Sequence, residues 1–484
     1  MARFAHPPPD RSLGGGAEMN ARNQDQATTL AGCVRLAALA VPIVVACTLG
    51  GTTTARPWAQ LTMELSAIPA LVLALFGPSR AELGAHRFAL VILTVALAIP
   101  LMQLIPLPPA VWQSLPGRQP ATAVLQAAQS SPVWLPLSVA PRETLRSAAA
   151  LLVPASLFLA TLGLRRAERR LLCGLLFALA LAGLGLGVAQ LACGESGPYL
   201  YPETSRGTLV GFFANRNHFA TVLVALLPLS GAVVADRRGV AVRLVGIAYL
   251  PLALVGLGLL RSRAGILLAA PAVAAGGLLI WRAAGGRARV RVHALLGGAA
   301  LAIVAVASLG LAPLEQRFAE TSSGEFRFQA WPHVAAAAVR YFPAGAGVGT
   351  FGRAYAIYEP LKVLQAQGFE HAHNEYLEIA LEDGIPGVLL LAGFLGWLAV
   401  MTVRTWRQVA RDPLRAAASA SLMLILAHAC VDYSLRTLAV VSVLAALCGL
   451  VAGRTEASRR DTAPPGPFPT ASGPTITEAN SRGP

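Results

Sequence analysis

The sequence predicts an all-α polytopic membrane protein with about 12 transmembrane helices and one large loop on the outer face. Three observations predict it. Of 484 residues, 55% are apolar and only 13% are charged, far from the composition of a soluble domain. Twelve stretches reach or approach the run of apolar residues that a helix needs to cross a hydrocarbon core. Arginines recur in every second loop, the charge bias that marks cytoplasmic loops.

A tail over 1–28, rich in Pro, Gly and charge, cannot bury a core and is expected to be disordered in the cytoplasm. Nine helices follow within 29–313, near 30–50, 61–76, 87–105, 144–164, 171–192, 216–235, 241–260, 264–281 and 292–313. The large loop takes 314–384, and three helices near 385–403, 416–433 and 437–453 complete 385–453. The stretch 454–484, rich in Pro, Ser, Thr and Gly, reads as a second disordered cytoplasmic tail.

The formal charge of +15 does not point to nucleic acid. Its arginines sit in short loops, such as Arg165, Arg166, Arg169 and Arg170, or Arg404, Arg407, Arg411 and Arg415, and this pattern places both termini inside. The six cysteines lie in or beside apolar segments with no CxxC pair, so neither a disulfide framework nor a metal site is expected. Val44-Val45-Ala46-Cys47 has the look of a lipoprotein cleavage box, but Arg35 interrupts the apolar run before it, and an uncleaved anchor is expected.

The outer face then carries 106–143, 193–215 and 314–384. Trp112 and Trp134 in the first suggest a loop held at headgroup level by tryptophans. In the last, Phe326 to Tyr341 has apolar residues at helical spacing, consistent with a helix on the membrane surface. The turn Pro343-Ala344-Gly345-Ala346-Gly347-Val348-Gly349 follows, either a site of close backbone approach to a ligand or a plain connector.

Polar groups at the outer boundary carry whatever chemistry the chain performs. Arg263 stands at the outer end of the eighth segment, against the charge bias; it either snorkels or binds an anion through its planar fork. Arg327, among Phe326, Phe328 and Trp331, poses the same choice. Arg206 and the run Asn215-Arg216-Asn217-His218 open the sixth helix; Asn215 reads as its cap, with Asn217 and His218 one turn inside. His428 and Asp432 are four apart and are expected on one helical face, as a helix-locking pair or as support for a site. His373 is the strongest candidate. It lies in His371-Ala372-His373-Asn374-Glu375-Tyr376, where Asn374 reads as an N-cap and Glu375 to Asp383 as a helix ended by Gly384 and Pro386. A histidine held just before a helix can take a proton near neutral pH.

The run His373-Asn374, then Gly384-Ile385-Pro386-Gly387, resembles the His-Asn-x9-Gly-x-x-Gly signature of the O-antigen ligase and O-antigen polymerase superfamily. Arg263 with Leu267 resembles that family's Arg-x3-Leu element, and Val388 stands where the signature continues with Gly, Thr or Tyr. The resemblance covers about 206–390. It implies an integral-membrane glycosyltransferase of the bacterial inner membrane, with its large periplasmic loop over the active site. The donor is then a glycan on undecaprenyl pyrophosphate and the acceptor a hydroxyl of a glycan, lipid or protein, with no metal or nucleotide cofactor. His373 becomes the base, Arg263 and Arg327 the pyrophosphate clamp, and Arg206, Asn217, His371, Asn374, His428 and Asp432 supporting residues. Ligase and polymerase activities both fit. A transporter or flippase is the rival from another class, although the two related halves that such proteins show are not visible.

Overall fold

The computed structural model describes residues 14–54, 56–76, 84, 86–131, 133–236, 239–283, 324–361 and 369–453. Met1–Gly453 forms one compact unit; a second unit, Arg454–Pro484, lies outside the described residues, as does the segment expected near 292–313. The described chain is almost entirely helical. Its only sheet is a two-stranded antiparallel ribbon pairing Pro106–Leu107 with Leu135–Pro136.

In chain order the principal helices are α1 (Gly14–Leu49), α2 (Pro57–Phe76), α3 (Arg87–Gln103), α4 (Pro141–Ala150), α5 (Leu152–Leu162), α6 (Arg166–Cys193) and α7 (Arg216–Ala235). They continue with α8 (Val240–Leu260), α9 (Arg263–Ala283), α10 (Gly324–Tyr341), α11 (Phe351–Ala356), α12 (Glu375–Arg407), α13 (Pro413–Ala429) and α14 (Leu438–Ala452). Among the described residues, eight helical stretches are long and apolar enough to cross a membrane, and α3, α13 and α14 are shorter apolar helices. The chain is a multi-pass membrane protein. The first helix begins at Gly14, inside the stretch expected to be tail, and the span expected at 144–164 is built from α4 and α5 in succession.

Helix α7 is the axis of the bundle. It is apolar all round, the composition of a helix with protein on every side, and α8, α9 and α13 pack against it. Where it meets α9, Gly231 faces Gly276, and a methyl on Gly231 would lie 2.6 Å from the Gly276 Cα. Small residues let the two backbones approach, the usual basis of helix packing in a bilayer. As expected, Asn215 caps α7, its side chain accepting from the Asn217 amide at 2.8 Å.

The expected outer loops are built on the same end. Trp112 is not an interfacial anchor: it is buried, and its indole donates to the Val133 carbonyl at 2.9 Å, while Trp134 stays exposed. Helix α10 buries Val334, Ala337, Ala338 and Tyr341 in a second apolar cluster with α11 and Leu381 of α12. Its inner face therefore rests on protein.

The glycine-rich turn is a connector. Gly345, Gly347 and Gly349 have φ of 82°, 114° and 76°, conformations open to glycine, and their neighbourhood is spent on internal bonds. Ala346 and Gly347 donate to the Leu381 and Glu382 carbonyls, Val348 donates to Gln103, and Arg118 reaches the Gly345 carbonyl at 3.1 Å. Gly384 answers from the other side. Its φ of 56° and ψ of −140° kink α12, and a side chain there would strike the backbone of Pro343 and Gly345.

Asn374 caps α12 as expected, accepting from the Tyr376 and Leu377 amides at 3.0 and 3.2 Å. Asn374→Ala should lower stability by about 1 kcal/mol, the usual value of such a cap. A lower thermal midpoint in detergent is the expected reading, and an unchanged midpoint would show the cap to be idle.

Candidate active site

The loop before α12 meets the turn after α13 at the N-terminal end of α7. Helix α13 stops at Ala429, so Asp432 does not continue a helical face with His428 as its spacing suggested; it sits in the turn that leads to the short 3-10 helix Ser434–Arg436. The turn still brings it to the histidines. Its Oδ1 lies 3.4 Å from His373 Nδ1 and 3.9 Å from His218 Nε2. The first is a long hydrogen bond and the second is out of range.

Tyr433 is the hub of the cluster. His371 stacks on its ring at 4.5 Å, while His373 and His218 meet it edge-on at 4.6 and 4.8 Å. His428 takes a hydrogen bond of 3.0 Å to Thr221 Oγ1. Both nitrogens of His218, His428 Nε2 and Asp432 Oδ2 are buried without a hydrogen-bond partner. Buried polar atoms without partners are rare, and their gathering here marks a site rather than a core.

His373 has φ of 51°. A non-glycine residue in that region costs on the order of 1–3 kcal/mol and persists where surrounding structure enforces it. The enforcement is visible on both sides of the residue. Asn374 caps the helix, and the Ala372 carbonyl accepts from Trp331 Nε1 at 3.0 Å. Trp331 is one turn after Arg327 on α10, so the same contact brings Arg327 to the cluster. Its charge acts on His373, Asp432 and Tyr433.

Burial works against the charge of Asp432, but the bond from His373 and the charges of His218, His428 and Arg327 outweigh it and hold the carboxyl well below its ordinary range. Burial lowers His373, with Arg327 adding to the effect and Asp432 opposing it. Burial also pushes Tyr433 up to about 12, so its hydroxyl remains protonated.

Behind the loop lies a buried ionic network. Arg436 bonds Glu375 at 2.8 Å and Glu382 at 2.6 Å and pairs with Glu378 at 3.3 Å. Glu378 also accepts from the Ala372 amide at 2.9 Å and faces His371 Nδ1 at 2.7 Å; Glu382 accepts from the Phe351 amide at 2.9 Å. The network ties α12, α11, the histidine loop and the Arg436 turn together.

A cavity of about 810 Å³ opens beside the cluster. His218, His371, His373, Asn215 and Tyr433 form one wall; Thr52–Thr54, Thr204, Ser205 and Arg206 form another. Of the residues singled out by sequence, Asn215, His218, His371, His373 and Arg206 line the cavity, Asp432 and His428 stand behind it, and Arg327 is in electrostatic reach. Arg206 is anchored by the Glu195 carbonyl at 3.0 Å and covers the Tyr199 ring. Asn217 is not a lining residue; Asn215, the cap, takes that place. Arg263 is not a lining residue either. It stands exposed at the start of α9, whose Gly265 abuts Ala220 of α7, hence at the same end of the bundle as His218.

Sequence reasoning passed over Tyr433, set Arg436 a turn beyond Asp432 without a partner, and gave the three glutamates no part in the site. The glutamates did leave a signal: carboxylates at 375, 378 and 382 share one face of a helix entering a membrane, where each needs a partner.

Residues 248–392 match the family model described as O-antigen ligase. Over that stretch the chain is similar to the O-antigen ligase and polymerase superfamily. No curated protein matches the chain. The O-antigen ligase match takes in Arg263, Arg327, His371, His373 and the three glutamates, whereas His218, His428, Asp432, Tyr433 and Arg436 lie outside it and join the site only through the fold. The O-antigen ligase family gives the coarse function: a membrane glycosyltransferase of surface-polysaccharide assembly that works on a lipid-linked glycan.

Proposed function

We propose that the protein transfers a glycan from undecaprenyl pyrophosphate to a hydroxyl acceptor, in the manner of an O-antigen ligase, at the periplasmic face of the bacterial inner membrane. The observation that carries this reading is His373, held at φ of 51° on a cavity wall with Nδ1 facing Asp432. A hydrogen on Nδ1 directed at the carboxylate leaves Nε2 as the proton acceptor.

An acceptor alcohol is a poor nucleophile until its proton is taken, and His373 Nε2 takes it as the alcohol oxygen bonds the anomeric carbon. The bond to the pyrophosphate breaks with its electron pair on the leaving oxygen. Arg327, whose charge reaches His373, and Arg263, exposed at the same end of the bundle, receive the pyrophosphate, since a guanidinium binds phosphate oxygens bidentately and stays charged at any working pH. Arg206 guards the rim, His428, Asn217 and Asn374 hold the surrounding helix ends, and Asp432 keeps the His373 tautomer and stabilises its cation. Direct attack inverts the anomeric centre.

Two outcomes follow. Asp432→Asn should cut kcat by about 10²-fold or more with donor binding intact, because the amide no longer favours the imidazolium; an undiminished kcat would remove Asp432 from the mechanism. Transfer should also survive exhaustive treatment with a chelator, and loss of turnover restored by a divalent cation would contradict a metal-free reaction.

A further inference from the structure

Two histidines reach the cavity from one loop, and each faces a different carboxylate. His371 Nδ1 is 2.7 Å from Glu378 Oε1, and His373 Nδ1 is 3.4 Å from Asp432 Oδ1. Both rings contact Tyr433, one stacked and one edge-on, so the pair is held at fixed separation around a single side chain.

Their electrostatic surroundings differ. Behind His371, the three carboxyl groups of Glu375, Glu378 and Glu382 meet one guanidinium, Arg436, an excess of acidic groups over the cation in a buried space. A proton on His371 reduces that excess where water cannot. In front of His373 stands Asp432, whose single charge is also shared by His218 and lies in reach of Arg327. Glu370 lines the same cavity at its rim.

We propose that His371 is the general acid of the transfer, acting opposite His373 as base. The proposal rests on the glycosyltransferase reading and adds a second proton-transfer residue to it. The anomeric C–O bond breaks with its electron pair on the pyrophosphate oxygen, which takes the proton from His371 Nε2. The alcohol O–H gives its proton to His373 Nε2 while the new C–O bond forms. One proton has left an alcohol and one has arrived on a phosphate, and exchange with water resets both rings.

The titration of the two groups agrees with this division. Burial alone would lower His371, but the charge and hydrogen bond of Glu378 overcome it and raise its pKa; burial lowers that of His373. Environments that push two neighbouring groups apart in this way separate an acid from a base. His373 must be neutral, so activity is lost as pH falls through its lowered pKa. His371 must be charged, so activity is lost as pH rises through its raised one.

The test is the pH–rate profile for release of undecaprenyl pyrophosphate from lipid-linked glycan purified from the producing cell. The parent protein should give a bell. His371→Gln should lose the alkaline limb and about 10²–10⁴-fold in kcat, the usual worth of a positioned proton donor, with donor binding unchanged. A variant that keeps the alkaline limb and the parent rate overturns the proposal. Full activity of His371→Gln beside an inactive His373→Gln would remove only the acid, whereas activity in His373→Gln would remove the base reading itself. A measurement without turnover stands beside it: modification by diethyl pyrocarbonate, assigned to each ring by fragmenting the peptide that carries both and followed across pH, should half-saturate at lower pH for His373 than for His371. The reverse order, or coincidence, contradicts the assignment.

Discussion

His373→Ala is expected to abolish glycan transfer and to leave the lipid-linked donor bound. Removing a positioned base costs about 10²–10⁴-fold in rate, because the acceptor must then lose its proton to water. Binding should survive because the proposed clamp is on other elements, Arg327 on α10 and Arg263 on α9. The residue's backbone must be separated from its chemistry. At φ of 51° an alanine adds strain of its own, whereas asparagine tolerates that region. His373→Asn should therefore fold like the parent and be as inactive as His373→Ala. An active asparagine variant would show that the loop conformation, and not the imidazole, is what matters.

The second large effect is structural. Arg436→Ala leaves Glu375, Glu378 and Glu382 buried together without their shared guanidinium, with His371 still against Glu378. Breaking a buried ion pair from one side costs about 3–5 kcal/mol, and here one guanidinium serves three carboxylates, so the upper end is expected. The loss should appear as a protein that fails to accumulate or unfolds at much lower temperature in detergent. Converting Glu375 and Glu378 to glutamine in the same chain removes the uncompensated charge and should recover much of the midpoint. Arg436→Ala with a parental midpoint would mean that the carboxylates are neutral in the fold, and the network would lose its ionic character.

Much of this fold was legible because bilayer chemistry writes it locally. The apolar runs, the caps Asn215 and Asn374, and the break at Gly384 are decided by residues within a turn of one another. The site was legible in part. His371 and His373 stood out because a histidine pair before a capped helix is conspicuous in an apolar chain. The long-range pairings were not legible, since Asp432 is 59 residues from His373 and Arg436 is 61 from Glu375, and only packing joins them. Spacing also misled where it was taken alone. His428 and Asp432 are four apart, yet the helix ends between them. The glycine-rich turn, open to either reading in the sequence, is a connector that gives its amides to α12 and α3.

The most direct measurement places purified protein in liposomes with undecaprenyl-pyrophosphate-linked glycan and a hydroxyl acceptor, and follows the donor on both sides of the membrane. The expected result is cleavage of the glycosyl bond, with free undecaprenyl pyrophosphate and glycosylated acceptor formed in equal amounts and lost together in His373→Ala. Movement of intact donor across the bilayer without cleavage would contradict a transferase and make the protein a carrier.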